Sequence, residues 1–134
     1  MVERCAGARH ARGLGSERGS VSMLAAAVML MVVLMALATA DVARALTAAS
    51  RAQAAADAAA LAAAQEMIEP TGESPSAAAA RFAEANGARL AGCDCPPGGT
   101  EAVATVQVDI SGLLLLRSGR QTRATARAVL DLPG

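Results

Sequence analysis

An uncharged, mostly apolar run of 20 residues, from Val21 to Ala40, is the longest hydrophobic feature of the chain. At 1.5 Å per residue, a helix of this length spans about 30 Å, which is the thickness of the hydrocarbon core of a bilayer. The pattern predicts a transmembrane helix over residues 21–40, preceded by a basic leader over residues 1–20. The lipid bilayer is therefore the first expected partner.

Residues 41–69 contain neither Gly nor Pro, and strong helix formers dominate this stretch. We therefore expect the membrane helix to continue outward as an Ala-rich helix over 41–69. Pro70 ends it, and residues 70–75 have the composition of a turn-rich linker.

The Ala-rich helix has a smooth surface between residues 52 and 64, where almost every side chain is small. Small side chains allow another helix to approach closely. Gln53, Asp57 and Leu61 are the larger residues of this surface and are candidate helix-packing residues. The alternative is a helix that only faces solvent.

Residues 76–134 are predicted to form a small α+β extracytoplasmic domain. Ser76 is a candidate N-cap for a short second helix that runs through Glu84, with Asn86 and Gly87 as its C-terminal stop.

Beyond this helix the hydrophobic period changes to two. Alternation predicts strands over 101–110 and 121–132, and residues 88–93 are read as an earlier strand. The expected fold is α+β: a transmembrane helix continuing into a long pilin-like helix, a second short helix, and a small antiparallel sheet of about three strands.

Four consecutive leucines, Leu113 to Leu116, connect the last two predicted strands. The favoured interpretation buries them between sheet and helix, because a domain with so few large side chains needs each of them in its core. The alternative is an exposed apolar tip that contacts a partner or the membrane surface.

Composition and charge argue against catalysis. The 12 basic residues balance 12 acidic ones, there is no Trp or Tyr, and the single histidine, His10, lies in the leader. Acid–base catalysts and metal sites usually use histidine near a folded site. We expect no enzyme activity and no cofactor, and no nucleic-acid partner because the arginines lack interleaved aromatic residues.

The distribution of charge predicts the orientation. Residues 1–18 carry four Arg and two Glu, whereas residues 19–134 carry eight Arg and ten acidic residues. Positive flanks remain in the cytoplasm, so the N-terminus is expected inside and the C-terminal domain outside. In a second reading, Ala38 and Ala40 form an A-x-A signal-peptidase site, and cleavage after Ala40 releases a secreted soluble protein that binds an external partner.

Cys93 and Cys95 lie on the expected oxidising side, one residue apart. Free thiols, a small intramolecular bridge and a bridge to another chain all remain open. Two cysteines without further ligands make a poor zinc site.

The order of these features resembles a known family. The segment 51–64, Arg-Ala-Gln-Ala-Ala-Ala-Asp-Ala-Ala-Ala-Leu-Ala-Ala-Ala, follows an apolar helix opened by Arg18, Gly19 and Ser20, and precedes an Asn-Gly pair at 86–87. Over residues 18–130 the chain resembles the TadE/TadG-like proteins of tight-adherence (Flp) pilus systems, in particular their short actinobacterial branch.

The resemblance implies a membrane-anchored, pseudopilin-like structural or accessory component of a pilus or secretion apparatus. It also implies contacts with other Tad/Flp components through the Ala-rich helix, as a homo- or hetero-oligomer. Gly19 and Ser20 could flank a pilin-type cut, although the fifth residue after that cut is Leu24 where pilins have Glu. An accessory role at the membrane therefore fits better than a pilus-shaft subunit.

Overall fold

The computed structural model describes residues 17–115 and 119–131. Two helices precede a three-stranded sheet, in the order α1 (Glu17–Ile68), α2 (Pro75–Ala85), β1 (Arg89–Asp94), β2 (Glu101–Ile110) and β3 (Arg120–Val129). This architecture confirms the predicted α+β class. The leader up to residue 16, Leu116 and the predicted strand end at Leu132 lie outside the described residues.

The chain divides into two compact units, and the first ends at Ala36. Its described part is the beginning of α1, where side chains of the apolar run are exposed, for example Met29 at 72% and Leu30 at 60%. Among the described residues, one helix is long and apolar enough to cross a membrane, judged by length and composition.

The second unit begins at Leu37 and contains the rest of α1, α2 and the sheet. Alanine dominates its core, and Val106 is the largest side chain among the described residues that is fully buried. Because alanine is short, backbones on either side of such a core lie close together. The core cluster includes Ala52, Ala55, Ala56, Ala59, Ala63, Ala79, Ala83, Ala102, Ala104, Val106 and Ala126.

The sheet is an antiparallel meander with β2 in the centre and β1 and β3 at its edges. Along β2, burial alternates, and Ala102, Ala104, Val106 and Val108 face the core. The opposite face is polar, as in a sheet with one solvated side. On that face the hydroxyls of Thr105 and Thr125 lie 2.9 Å apart.

Strand ends follow the pairing of the sheet. The range predicted for β2 is confirmed, whereas β1 and β3 differ from their predicted ranges by one to three residues. The β2–β3 ladder ends at the pair Glu101 and Val129. Leu130 donates its N–H to the carbonyl of Thr100 at 2.8 Å, one hydrogen bond beyond that pair, and β3 itself ends at Val129, before the predicted end.

The N-cap of α2 differs from the prediction. Ser74, not Ser76, is the cap residue: its backbone is extended, and its hydroxyl accepts the N–H of Ala77 at 3.2 Å. Pro75 then occupies the first helical turn, where its fixed φ and missing N–H are tolerated. The predicted stop is confirmed, with Asn86 as C-cap and Gly87 at φ 73°.

Candidate functional site

Asp41 is a buried carboxylate in the middle of α1, and the residue is only 2% exposed. It is also the first charged residue after the apolar run. A buried charge is costly unless it is hydrogen-bonded or paired. The partners of Asp41 therefore identify which part of the fold this carboxylate holds.

Two successive backbone N–H groups bind the two oxygens of Asp41. Leu114 donates its N–H to Oδ1 and Leu115 donates its N–H to Oδ2, each at 2.8 Å. Arg44, three residues along α1, places Nη1 3.4 Å from Oδ1, because side chains three positions apart are neighbours on a helix. Hydrogen bonds to an ionised acceptor are stronger than neutral ones, so Asp41 fixes the β2–β3 connection against α1.

We call residues 111–115, the part of this connection before residue 116, the leucine loop. Leu113 is half-buried, but Leu114 is 55% exposed and Leu115 is 47% exposed. The prediction that the leucines fill the core is therefore wrong for these two. Alanine and valine side chains already fill the core, and Asp41 holds the loop by its backbone, which leaves the two side chains exposed.

A groove of about 340 Å³ lies between α1 and the end of β2, next to the leucine loop. Its polar lining residues are Arg44, Thr47, Arg51, Asp109 and Ser111. Asp109 is bound by two neighbours on the sheet: Arg89 lies 2.9 Å from Oδ2, and Gln121 donates to Oδ1 at 2.8 Å. The negative charge of Asp109 in the groove is therefore already compensated by Arg89 and by the hydrogen bond from Gln121.

The residues predicted to pack against partner helices lie on the exposed side of α1, which we call the outer face. Gln53 donates to Asp57, four residues further along the helix, at 3.1 Å, and Leu61 is 60% exposed. Other large apolar residues of the second unit that are exposed along α1 are Val42, Leu46 and Ile68. The packing role of the outer face remains a prediction.

The small residues of α1 have a different role from the one expected. Ala52, Ala55, Ala59 and Ala63 are fully buried in the core of their own domain. The close approach that small side chains permit is therefore used within the chain, by elements of the same unit.

The other candidate residues lie in separate places. Gly19, Ser20, Ala38 and Ala40 are all within α1, and cleavage at either pair remains a prediction. The structure joins Cys93 and Cys95 in a disulfide, with their Cα atoms 5.5 Å apart. This places the bridge at the end of β1.

The junction between the two helices is held by charged side chains. Glu66 accepts the backbone N–H and the hydroxyl of Thr71, each at 2.9 Å, and these bonds lower the pKa of its carboxyl. Glu73 lies 3.0 Å from Arg81, and this hydrogen bond raises the pKa of the guanidinium. Within residues 17–115 and 119–131 no three potential metal ligands cluster.

Sequence reasoning missed the long-range role of Asp41. In the sequence analysis this residue is only the first position of the predicted helix over 41–69, whereas the two backbone groups that it binds lie 73 and 74 positions away. The one sequence signal is its position, because Asp41 is the first charged residue after the apolar run. The sequence alone did not indicate which segment supplies the compensation.

Residues 19–66 match the family model described as "Putative Flp pilus-assembly TadE/G-like". The match confirms the resemblance to the TadE/TadG-like family over these residues, which are part of the range 18–130 that the sequence predicted, and supports a component associated with a Tad-type pilus. It covers nearly all of α1 and does not extend to α2 or the sheet. Comparisons with curated proteins and with solved structures give no significant match.

Proposed function

We propose that this protein is a membrane-anchored, pseudopilin-like structural or accessory component of a Tad/Flp-type pilus or secretion apparatus, without catalytic activity. One observation carries the proposal: the family match at 19–66 lies within α1 and includes the uncharged run of 20 residues from 21 to 40. Such a run is long enough to span the hydrocarbon core.

Anchoring is tested by charge in the apolar run. Replacing both Val33 and Leu34 with Arg adds about 5–7 kcal/mol to the cost of insertion, since each Arg at a helix centre costs about 2.5–3.5 kcal/mol. The variant should move from the carbonate-washed membrane fraction to the soluble fraction. Leu46→Arg with Leu61→Arg, at exposed positions beyond the run, is the matched control and should stay in membranes. Retention of both variants would contradict an anchor at residues 21–40.

The proposed orientation places the leader inside the cell. In a variant whose only cysteine is Cys5, a membrane-impermeant maleimide should label the protein after lysis but not in intact cells. Thr71→Cys, in the same background with Cys5→Ser, should be labelled in intact cells because Thr71 is exposed. The reverse labelling pattern would overturn the orientation.

The outer face of α1 is the proposed contact for other Tad/Flp components or for a second copy of this chain. Leu61 is exposed on the outer face, and Arg123 is exposed on β3, away from α1. A photo-crosslinking residue at Leu61 should therefore yield an adduct whose partner is a second copy or a Tad component, identified by mass spectrometry. The same residue at Arg123 should yield none.

A secreted form is the second candidate, and Ala38-Thr39-Ala40 is the observation that favours it. An intact mass of the protein from washed membranes and from culture medium separates the two. Full-length protein in membranes alone supports the anchor, and loss of residues 1–19 indicates pilin-type processing. A product in the medium that begins at Asp41 would show that the protein is cleaved after Ala40 and secreted.

A further inference from the structure

The leucine loop is fixed at the point of α1 where the apolar run ends. Asp41 directly follows that run, and its carboxylate binds the backbone of Leu114 and Leu115. Both leucine side chains are about half exposed. If α1 is anchored as proposed above, the boundary of the hydrocarbon core falls near Asp41, and the exposed leucines lie at the same level.

The adjoining groove is cationic. Arg44 and Arg51 follow Asp41 by three and ten residues, or about 4.5 and 15 Å along the helix axis. Helical Cα–Cβ bonds tilt toward the N-terminus, so both long side chains lean back toward the bilayer. In the part of the chain that the structure describes, Arg51 forms no ion pair. Asp109, the carboxylate in the lining, is bound by Arg89 and Gln121.

We propose that the leucine loop and this groove together bind an anionic phospholipid of the leaflet that faces the C-terminal domain. Leu114 and Leu115 contact the upper part of the acyl chains. The guanidinium of Arg51 binds the headgroup phosphate, together with the N–H groups of Arg44 other than those of Nη1, which lies 3.4 Å from Asp41 Oδ1. Guanidinium groups donate in a fork that matches phosphate oxygens. The hydroxyl of Ser111 supplies a further donor, whereas the hydroxyl of Thr47 already donates to the carbonyl of Ala43 at 2.9 Å.

The combination of surfaces selects a lipid as the occupant. Inorganic phosphate would use the arginines and leave the leucines in water, and an apolar peptide would leave the arginines without a counter-charge. An anionic phospholipid provides a phosphate for the arginines and acyl chains for the leucines. The anchored helix holds this surface next to the lipid. The proposal rests on the proposed anchoring, so its test must report on the two separately.

The chain has no Trp, so a single introduced Trp is an unambiguous fluorescent reporter. We would reconstitute the full chain into phosphatidylcholine vesicles that contain phosphatidylglycerol brominated on its acyl chains. Leu114→Trp or Leu115→Trp reports on the loop, and Val28→Trp reports on the apolar run. Leu61→Trp is the matched control, since Leu61 is equally exposed but lies about 30 Å beyond Asp41 along the helix.

Quenching by bromine is expected for Val28→Trp and for both loop variants, with emission shifted to shorter wavelength, and not for Leu61→Trp. If Val28→Trp is not quenched, the proposed anchoring fails. If Val28→Trp is quenched while Leu114→Trp and Leu115→Trp match Leu61→Trp, the anchoring stands and the lipid-binding loop is wrong.

The headgroup requirement is tested by the choice of brominated lipid. As a minor component of phosphatidylcholine vesicles, brominated phosphatidylglycerol should quench Leu114→Trp more than brominated phosphatidylcholine does. Arg51→Gln should reduce this preference about fivefold, the typical contribution of one arginine near an anionic surface. Arg123→Gln, the same charge change on β3, should preserve it. Equal quenching by the two lipids, or loss of the preference on adding inorganic phosphate, would overturn the phospholipid assignment.

Discussion

The carboxylate of Asp41 in α1 accepts the backbone N–H of Leu114 at 2.8 Å, across 73 positions of the sequence. Leu115 donates its N–H to the other carboxylate oxygen, so each oxygen of the buried Asp41 side chain accepts a hydrogen bond from the leucine loop. This relationship makes the β2–β3 connection depend on a helix residue that directly follows the apolar run. The position of the exposed leucines is therefore set by α1.

Replacing Asp41 with Asn should destabilise the domain by about 2 kcal/mol, because hydrogen bonds to a charged acceptor contribute about 1.5–3 kcal/mol. One carboxylate oxygen becomes an NH₂ group that faces a backbone donor. Urea unfolding in detergent micelles, followed by circular dichroism, gives the loss of stability. Hydrogen exchange in the peptide containing Leu114 should also accelerate.

Asp57→Asn is the matched control, because Asp57 is an exposed acid on the same helix. Its hydrogen bond from Gln53 is retained by the amide oxygen, so stability should change by less than about 0.5 kcal/mol. Equal effects of the two substitutions would contradict the special role of Asp41.

Features with a local signature could be predicted from the sequence. The helix over 41–69 follows from composition, β2 follows from a period of two, and the Gln53–Asp57 bond follows from helical spacing. In each of these cases the interacting residues are neighbours along the chain, so propensity and periodicity contain the necessary information.

The features that the sequence did not reveal depend on which segments meet. Leu114 is exposed because its backbone is bound by a distant carboxylate, and no local pattern encodes that bond. An Ala-rich helix face likewise permits close packing without specifying the partner. In this chain the partner of Ala59 is its own domain.

The buried alanine face of α1 should not tolerate larger side chains. Ala59 is fully buried, and Leu at this position would add three carbons to a closely packed core, costing about 2–3 kcal/mol. Ala54→Leu, on the exposed side of the same helix, should change stability by less than about 0.5 kcal/mol. Urea unfolding of the two variants measures the difference. Similar stability of the variants would show that the alanine face is loosely packed.

The N-cap of α2 is a further test of the structure against the sequence prediction. Ser74→Ala removes the acceptor of the Ala77 N–H and should cost about 1 kcal/mol. Ser76→Ala, at the position that the sequence favoured, should cost less than about 0.5 kcal/mol. Hydrogen exchange at Ala77 should accelerate only in the first variant. A larger effect at Ser76 would restore the original assignment of the cap.

Glu66 should make stability depend on pH. Its hydrogen bonds from the backbone and then the hydroxyl of Thr71 lower the pKa of the carboxyl below its usual value of 4.5. A carboxyl whose pKa is lower in the folded state stabilises the protein above its unfolded pKa, and this contribution is lost as pH falls through the folded pKa. Glu66→Gln should therefore be less stable than wild type at about pH 7, and the difference in free energy of unfolding should shrink toward about pH 3.

Urea unfolding at both pH values measures this gap between wild type and Glu66→Gln, and Glu69→Gln, at an exposed carboxylate, controls for net charge. A gap that is equal at both pH values would show that the Glu66–Thr71 bonds do not depend on the charge of the carboxyl.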